Sequence, residues 1–175
     1  LMAVLFATKA IEWPEDGQKR GLIISILIIQ ILASIGAFLM AKLCVKIGNI
    51  KTLILSVILW ILICTAAFIV KKEHEFYILA AFVGLVMGGV QAIARSTYSK
   101  FLPETSDHAS YFSFYDVSEK IGIVFGTAFF ALAEYLFDDI KYSVISVALF
   151  FVIGLILLYR VPEKEIQIDG KEFLV

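Results

Sequence analysis

The stretch Gly21–Ala41, GLIISILIIQILASIGAFLMA, contains no charged residue. A run of about 20 apolar residues is the length that a helix needs to cross the hydrocarbon core of a bilayer. Four further apolar segments follow it, and the whole chain has 61% hydrophobic residues, 18% charged residues and a mean hydropathy of +0.92. The sequence therefore predicts an all-α integral membrane protein whose surroundings include a lipid bilayer.

The predicted spans divide the chain into one incomplete helix and five complete ones. Residues 1–11 are apolar but too short to span, so we interpret them as the end of a helix whose beginning lies outside this chain. Turn-forming and charged residues separate the later segments. The complete spans are predicted at 21–43, 51–70, 76–99, 109–137 and 142–160, and a tail at 161–175.

The loops differ in charge. Residues 42–51 include three lysines and no acid, whereas residues 134–141 include three acids and one lysine. Lysine and arginine are enriched in the cytoplasmic loops of membrane proteins. We therefore expect the first loop and the tail in the cytoplasm, with the protein in a bacterial inner membrane.

Ionisable residues inside the predicted spans are the main functional signal. If the fourth complete span begins near Ala109, a rise of about 1.5 Å per residue carries Lys120 roughly 15 Å into the bilayer, with Asp116 and Glu119 slightly shallower. A charged side chain near the midplane costs roughly 2.5–3.5 kcal/mol on insertion scales. We therefore expect these side chains to face protein or a water-filled cavity and to have partners.

Several pairings are open to these charges. Gln91 and Arg95 lie one turn apart and could contact an anion, or Arg95 could extend to the inner interface. Asp116 and Lys120 can pair within their helix, and Glu119 could then pair with Arg95 or relay a proton. We predict that these residues, with a glutamine of the first complete span, line the substrate path or form a gating network. The set is Gln91, Arg95, Asp116, Glu119, Lys120 and Gln30.

Polarity also predicts which helices face lipid. The segments 52–70 and 142–159 have no ionisable residue in their interior, whereas the other complete spans carry the charges or Gln30 and Ser34. A helix that is apolar on every side can face lipid, and polar groups must turn inward. We expect 52–70 and 142–159 to be the outer helices.

Small residues recur at four-residue spacing in two spans. Such stripes allow another helix to approach closely. The pair Gly88-Gly89 would serve either as a flexible point or as part of such a contact. The predicted packing residues are Gly84, Gly88, Gly122 and Gly126, with Ala92 and Ser118 continuing the two stripes.

The sequence does not favour a nucleic-acid-binding protein, a metal site or an enzyme. A net charge of -1 offers no broad basic surface for nucleic acid. Cys44 and Cys64 are isolated, and His74 and His108 fall on opposite sides of the predicted membrane, so their spacing indicates no shared metal site. We find no catalytic motif, and we expect no enzyme activity, no cofactor and no metal.

Three segments resemble a known family. They are GGVQAIARSTYSKFLPE at 88–104, YFSFYDVSEK at 111–120 and FFVIGLILLYRVPE at 150–163. Together they resemble the vacuole-effluxer-like branch, the autophagy-related effluxers, of the major facilitator superfamily. AKLCVKIGNIK at 41–51 is similar to a loop motif of that superfamily, G-x-L-x-D-R-x-G-x-x-[RK], with Val45 in place of its acid.

The resemblance implies a major-facilitator-type C-terminal helix bundle, with the five complete spans as helices eight to twelve. It further implies a secondary active transporter that moves a small solute by alternating access, amino acids being candidate solutes, with the N-terminal half of the transporter as a partner. The alternative is a non-transporting helical membrane scaffold or assembly subunit, in which buried charges only fix helix register.

Overall fold

The computed structural model describes residues 2–14, 17–103, 107–161, 165–168 and 171–174. Five of its helices are long and apolar enough to cross a membrane, which confirms the prediction of a multi-pass all-α protein. A short helix precedes them. The helices are α1 (Met2–Ala10), α2 (Gln18–Ile47), α3 (Asn49–Ile69), α4 (Glu73–Phe101), α5 (His108–Phe137) and α6 (Ile140–Leu158).

The boundary between α2 and α3 differs from the expected loop at 42–51. Helix α2 continues to Ile47, and Gly48 alone separates it from Asn49, where α3 begins. Gly48 adopts φ 90° and ψ 162°, which residues with a side chain rarely adopt. The chain therefore reverses at one residue, and Lys42 and Lys46 extend from the last turns of α2.

Acidic residues fix both ends of α5. The Asp107 carboxylate accepts a hydrogen bond from the Ser110 backbone N–H at 3.2 Å and so caps the first turn. Hydrogen bonds from Ser110 lower the pKa of Asp107. At the other end, Asp138 has φ 50° and ends the helix in the left-handed conformation.

The long helices form an arc. Helix α2 packs against α4, α4 against α3, α3 against α6, and α6 against α5. In the most apolar stretch of each helix, 39% of α4 and 33% of α3 is buried, against 11% of α2, α5 and α6. Helices α3 and α4 therefore occupy the interior of this arc, and α2 and α5 lie at its two ends.

The position of α3 differs from the outer location expected for 52–70. Thr52 and Ser56 of α3 are fully buried, and each hydroxyl donates to a backbone carbonyl four residues earlier, at 2.7 and 2.8 Å. A small side chain that satisfies its hydroxyl within its own helix allows close packing without a charged partner. We based the expected outer location on the absence of ionisable residues, and that criterion does not detect a buried face of uncharged polar residues such as Thr52 and Ser56.

Glycines bring α2 and α4 into backbone contact. A Cβ atom added to Gly84 or Gly88 would lie less than 3.0 Å from a backbone oxygen of α2, and one added to Gly36 would do the same against α4. An added Cβ at Gly89 would meet the side chain of Met40. The first glycine stripe therefore faces α2, where it permits the closest approach between these two helices.

The second stripe lies in different surroundings. A Cβ added to Gly122 or Gly126 would meet no atom within 4 Å. Helix α5 packs on α6 at other positions along its length, for example through the rings of Phe129 and Phe150, whose centroids are 5.1 Å apart. The two stripes therefore do not meet each other. Small residues allow another helix to approach closely, but they do not determine which helix does so.

Helix α1 packs at one end of the bundle, against residues of α3 to α6. Phe6, Ala7 and Ile11 form a buried cluster with residues of α3 to α6, including Phe76 and Phe130. The loop after α1 is held by a backbone hydrogen bond of 2.9 Å, donated by Glu12 to the carbonyl of Lys71. This end of the bundle therefore contains a buried apolar core.

The tail predicted at 161–175 includes a β-hairpin. Strand β1 (Glu165–Ile168) pairs antiparallel with β2 (Lys171–Leu174), with Glu165 opposite Leu174. Alternation of polar and apolar residues in EIQI is typical of a strand. Residues 162–164, 169–170 and 175 of the predicted tail lie outside the described residues.

The contact between α2 and α4 can be tested with Gly88→Ala. Its Cβ would press on backbone that cannot move aside, so we expect a loss of about 1–3 kcal/mol in the free energy of unfolding. Thermal unfolding in detergent measures it. Gly154→Ala is the matched control, since nothing lies within 4 Å of its added Cβ, and we expect no loss there. Equal stability of both variants would contradict the backbone contact.

Candidate functional site

The predicted charges form two separate contacts instead of one network. Arg95 of α4 pairs with Asp116 of α5, with 3.3 Å between Nη2 and Oδ1. Lys120 lies 3.9 Å from the neighbouring Glu119, measured from Nζ to Oε1. The structure therefore brings Arg95 to Asp116 and leaves Glu119 beside Lys120 on the same helix.

Aromatic rings surround Arg95. Its guanidinium carbon lies 5.5 Å from the ring centroid of Phe112 and 5.9 Å from that of Tyr115, within the range of cation–π attraction. The ring of Tyr98 packs against that of Tyr115 at a tilt of 42°, with 4.9 Å between centroids. We call Arg95, Tyr98, Phe112, Tyr115 and Asp116 the Arg95 cluster; it joins the last turns of α4 to the first turns of α5.

The sequence reading did not include these aromatic residues. Phe112, Tyr115 and Asp116 recur at three- and four-residue spacing, so they share one face of α5. Tyr98 and Arg95 share a face of α4 in the same way, and the Tyr98 hydroxyl donates to the carbonyl of Tyr111 at 2.9 Å. That common spacing is the signal that could have identified the cluster.

The charged side chains are well exposed on this chain. The exposed fractions are 54% for Arg95, 48% for Asp116, 44% for Glu119 and 71% for Lys120. A charge that only fixed the register of helices within this bundle would be enclosed by them. These side chains instead lie on an open face of the arc.

A groove of about 410 Å³ runs along that face of α5. One acid and one base, separated by one helical turn, border it with the apolar parts of their side chains. The other lining residues are apolar. We call this the α5 groove; its lining is Asp116, Val117, Lys120, Ile121, Val124 and Phe125.

The two predicted glutamines stand apart from the charged contacts. Gln91 of α4 and Gln30 of α2 are both exposed. Among the described residues, neither side chain has a hydrogen-bond partner, and neither joins the Arg95 cluster. Their assignment to the substrate path stays a prediction.

A second charged contact holds the opposite end of α5. Lys9 of α1 forms a salt bridge with Glu134, whose side chain is 24% exposed. Sequence reasoning placed Glu134 in a loop, so it did not consider this pair. Helix α5 is thus connected at one end to α1 and at the other to α4, while Gly122 and Gly126 between them have open space beside them.

Five spanning helices in an arc define a multi-pass helical membrane protein whose bundle fits the major-facilitator type. Residues 1–170 match the family model described as vacuole effluxer Atg22 like, and the chain belongs to that family. The resemblance seen in the sequence is thereby confirmed. The family consists of transporters, which is a different class from enzymes.

Individual relatives cover part of the chain. It is 28% identical over 147 residues to the uncharacterized MFS-type transporter YxiO of Bacillus subtilis (strain 168), covering 83% of this chain and 34% of that protein. It is 35% identical over 104 residues to autophagy-related protein 22-1 of Phaeosphaeria nodorum. That match covers 58% of this chain and 18% of the relative. The chain therefore spans about a third or less of these relatives. No solved structure is significantly similar.

A double-mutant cycle on Arg95→Gln and Asp116→Asn tests the cluster. Exposed ion pairs contribute about 0.2–1 kcal/mol, so we expect a coupling free energy near the upper end of that range, measured by unfolding in detergent. The control is the cycle of Glu119→Gln and Lys120→Gln, whose longer contact should give a smaller coupling. If the first cycle showed no coupling, the ion pair would be absent in solution.

Proposed function

We propose that this chain is the C-terminal helix bundle of a secondary active transporter that moves a small solute by alternating access. The observation that carries the proposal is the exposed Arg95–Asp116 pair, which joins α4 to α5 beside the α5 groove. An ion pair on an open face can exchange partners with a charged solute, whereas an enclosed pair cannot. Membership of a transporter family supports the same conclusion.

The chemistry of the groove favours amino acids as the solute. The charged groups of Asp116 and Lys120 flank the groove one helical turn apart, and one acid and one base match the ammonium and carboxylate groups of a zwitterion. The apolar lining suits an aliphatic or aromatic side chain. All the residues that line this groove of about 410 Å³ belong to α5, so we propose that a facing surface from outside this chain completes the site.

A solute bound in the groove would compete for Asp116. Its ammonium group and the Arg95 guanidinium both need the same carboxylate, so binding weakens the contact between α4 and α5. A ligand shifts a conformational equilibrium by as much as its affinity differs between the two states. Since the Lys9–Glu134 salt bridge holds the other end of α5, the motion we propose is a rocking of α5 about that end.

In our proposal, the other side of the substrate path, facing the α5 groove, is formed by protein outside this chain. The Bacillus subtilis relative is about three times as long as the segment it matches, and the Phaeosphaeria nodorum relative is longer still in proportion, which leaves room for an N-terminal half that faces α2 and α5, the two ends of the arc. The lysines of 42–51 support a C-terminus in the cytoplasm, and the Bacillus subtilis relative, matched over 83% of this chain, supports a bacterial inner (cell) membrane.

Transport can be measured with the protein as its gene encodes it, reconstituted in vesicles and supplied with a panel of labelled amino acids. We expect uptake of at least one of them. Lys120→Gln should raise its KM about tenfold, because a hydrogen bond to a charged group contributes roughly 1.5 kcal/mol. Arg95→Gln and Asp116→Asn should each slow transport by changing the balance between the two states.

The control is Lys71→Gln, which removes an exposed lysine at the opposite end of the bundle and should leave KM unchanged. Absence of uptake for the whole panel would contradict amino acids as the solute. If uptake occurred and all three groove or cluster variants transported normally, these charges would be structural only.

Orientation can be tested with single cysteines in a Cys44→Ser/Cys64→Ser background. A membrane-impermeant maleimide applied to intact cells should label Lys71→Cys and should label Lys46→Cys only after permeabilisation, because the loop lysines favour the cytoplasm. Gel-shift labelling reads both sites in the same protein background. The reverse pattern would place the C-terminus outside.

A further inference from the structure

A second cavity, separate from the α5 groove, lies where the last turns of α2 and α4 meet the first turn of α3. Its volume of about 290 Å³ is near ten times the roughly 30 Å³ that one water occupies. Lys100 is the charged residue among those that line it, and Asn49 and Ser96 add polar groups. We call this the Lys100 cavity.

A chain of hydrogen bonds holds Asn49 in place. Its side chain is buried, and its Nδ2 donates to Thr97 Oγ1 at 2.9 Å. The Thr97 hydroxyl donates in turn to the Ile93 carbonyl at 2.7 Å. The amide oxygen of Asn49 is then directed to the Lys100 ammonium at 3.5 Å. The cation is therefore positioned at the cavity by a buried amide.

Lys100 has a neutral partner and lacks a counter-charge among the described carboxylates. Lys100 is a half-buried residue, and among the described residues its ammonium makes one long contact, with an amide oxygen. Ser96 lies on the same cavity wall and is exposed, and its hydroxyl donates to no other described residue, so its proton is free to reach a ligand. A partly desolvated cation gains stability from an anion that also accepts hydrogen bonds.

The surrounding charge favours an anion as well. Lys42 and Lys46 extend from the same end of α2, and residues 42–51 include no acid. The position of Lys100 in the last turn of α4 also suits the helix dipole. The dipole explains a cation at this end, but it does not explain an open cavity beside it.

We propose that the Lys100 cavity binds one phosphate group, through the Lys100 ammonium and the Ser96 hydroxyl. The ammonium offers three donors to phosphate oxygens. The group can belong to a phospholipid or to soluble phosphate. Ala41 and Ala92 give the cavity an apolar wall that suits the glycerol end of a lipid, and basic sites between membrane helices near the interface are known to hold lipid headgroups.

The test uses the purified protein as its gene encodes it and native mass spectrometry with added phosphatidylglycerol. Diacylglycerol with the same acyl chains is the ligand control, because it lacks only the phosphate headgroup. We expect a bound phosphatidylglycerol and a loss of affinity of about tenfold in Lys100→Gln. Lys46→Gln, an equal charge change at the same end, should alter affinity less than about twofold.

Ala92→Leu provides a second variant that keeps every charge. Its larger side chain should fill the cavity and weaken binding as Lys100→Gln does. Inorganic phosphate added as a competitor identifies the source: displacement of the lipid indicates a site open to soluble phosphate, and no displacement indicates a lipid site. Equal affinity of wild type, Lys100→Gln and Ala92→Leu would overturn the proposal, as would equal binding of diacylglycerol.

Discussion

The backbone contact between α2 and α4 is the constraint on which the rest of the arc depends. Glycines on both helices remove the side chains that would separate them, so the backbones meet directly. Because α4 also packs on α3, its polar end is held against two helices. That end carries both Arg95 and Lys100, so one packing contact positions the cluster and the second cavity.

Helix α5 is held differently. Its main packing partner among the described helices is α6. At one end Phe130 joins the buried cluster and Glu134 pairs with Lys9 of α1, and at the other end charged and aromatic contacts join it to α4. Exposed ion pairs contribute little stability and exchange partners readily. The apolar contacts between the other helices cannot exchange partners in this way. A division between a firmly packed α2–α4 pair and a loosely held α5 is what a rocking motion would require.

The choice of Asp116 as the partner of Arg95 illustrates how far sequence reasoning reached. Helical spacing placed Asp116 and Glu119 close to the same depth, and either could have met an arginine on α4. Phe112 and Tyr115 decide between them, because their rings hold the guanidinium beside Asp116. Ring positions follow from packing between two helices, and spacing within one helix does not reveal them.

The sequence by itself determined the number of spans, their approximate bounds and the presence of charges within them, because bilayer thickness and side-chain polarity act locally along the chain. Only the tertiary structure decided that the stripe at Gly84 and Gly88 meets α2 while Gly122 faces open space. It also decided that α3 is an inner helix and that Asn49 reaches Lys100. Each of these contacts depends on which faces of two helices, distant in sequence, lie opposite each other. The pattern of residues within one helix does not determine that.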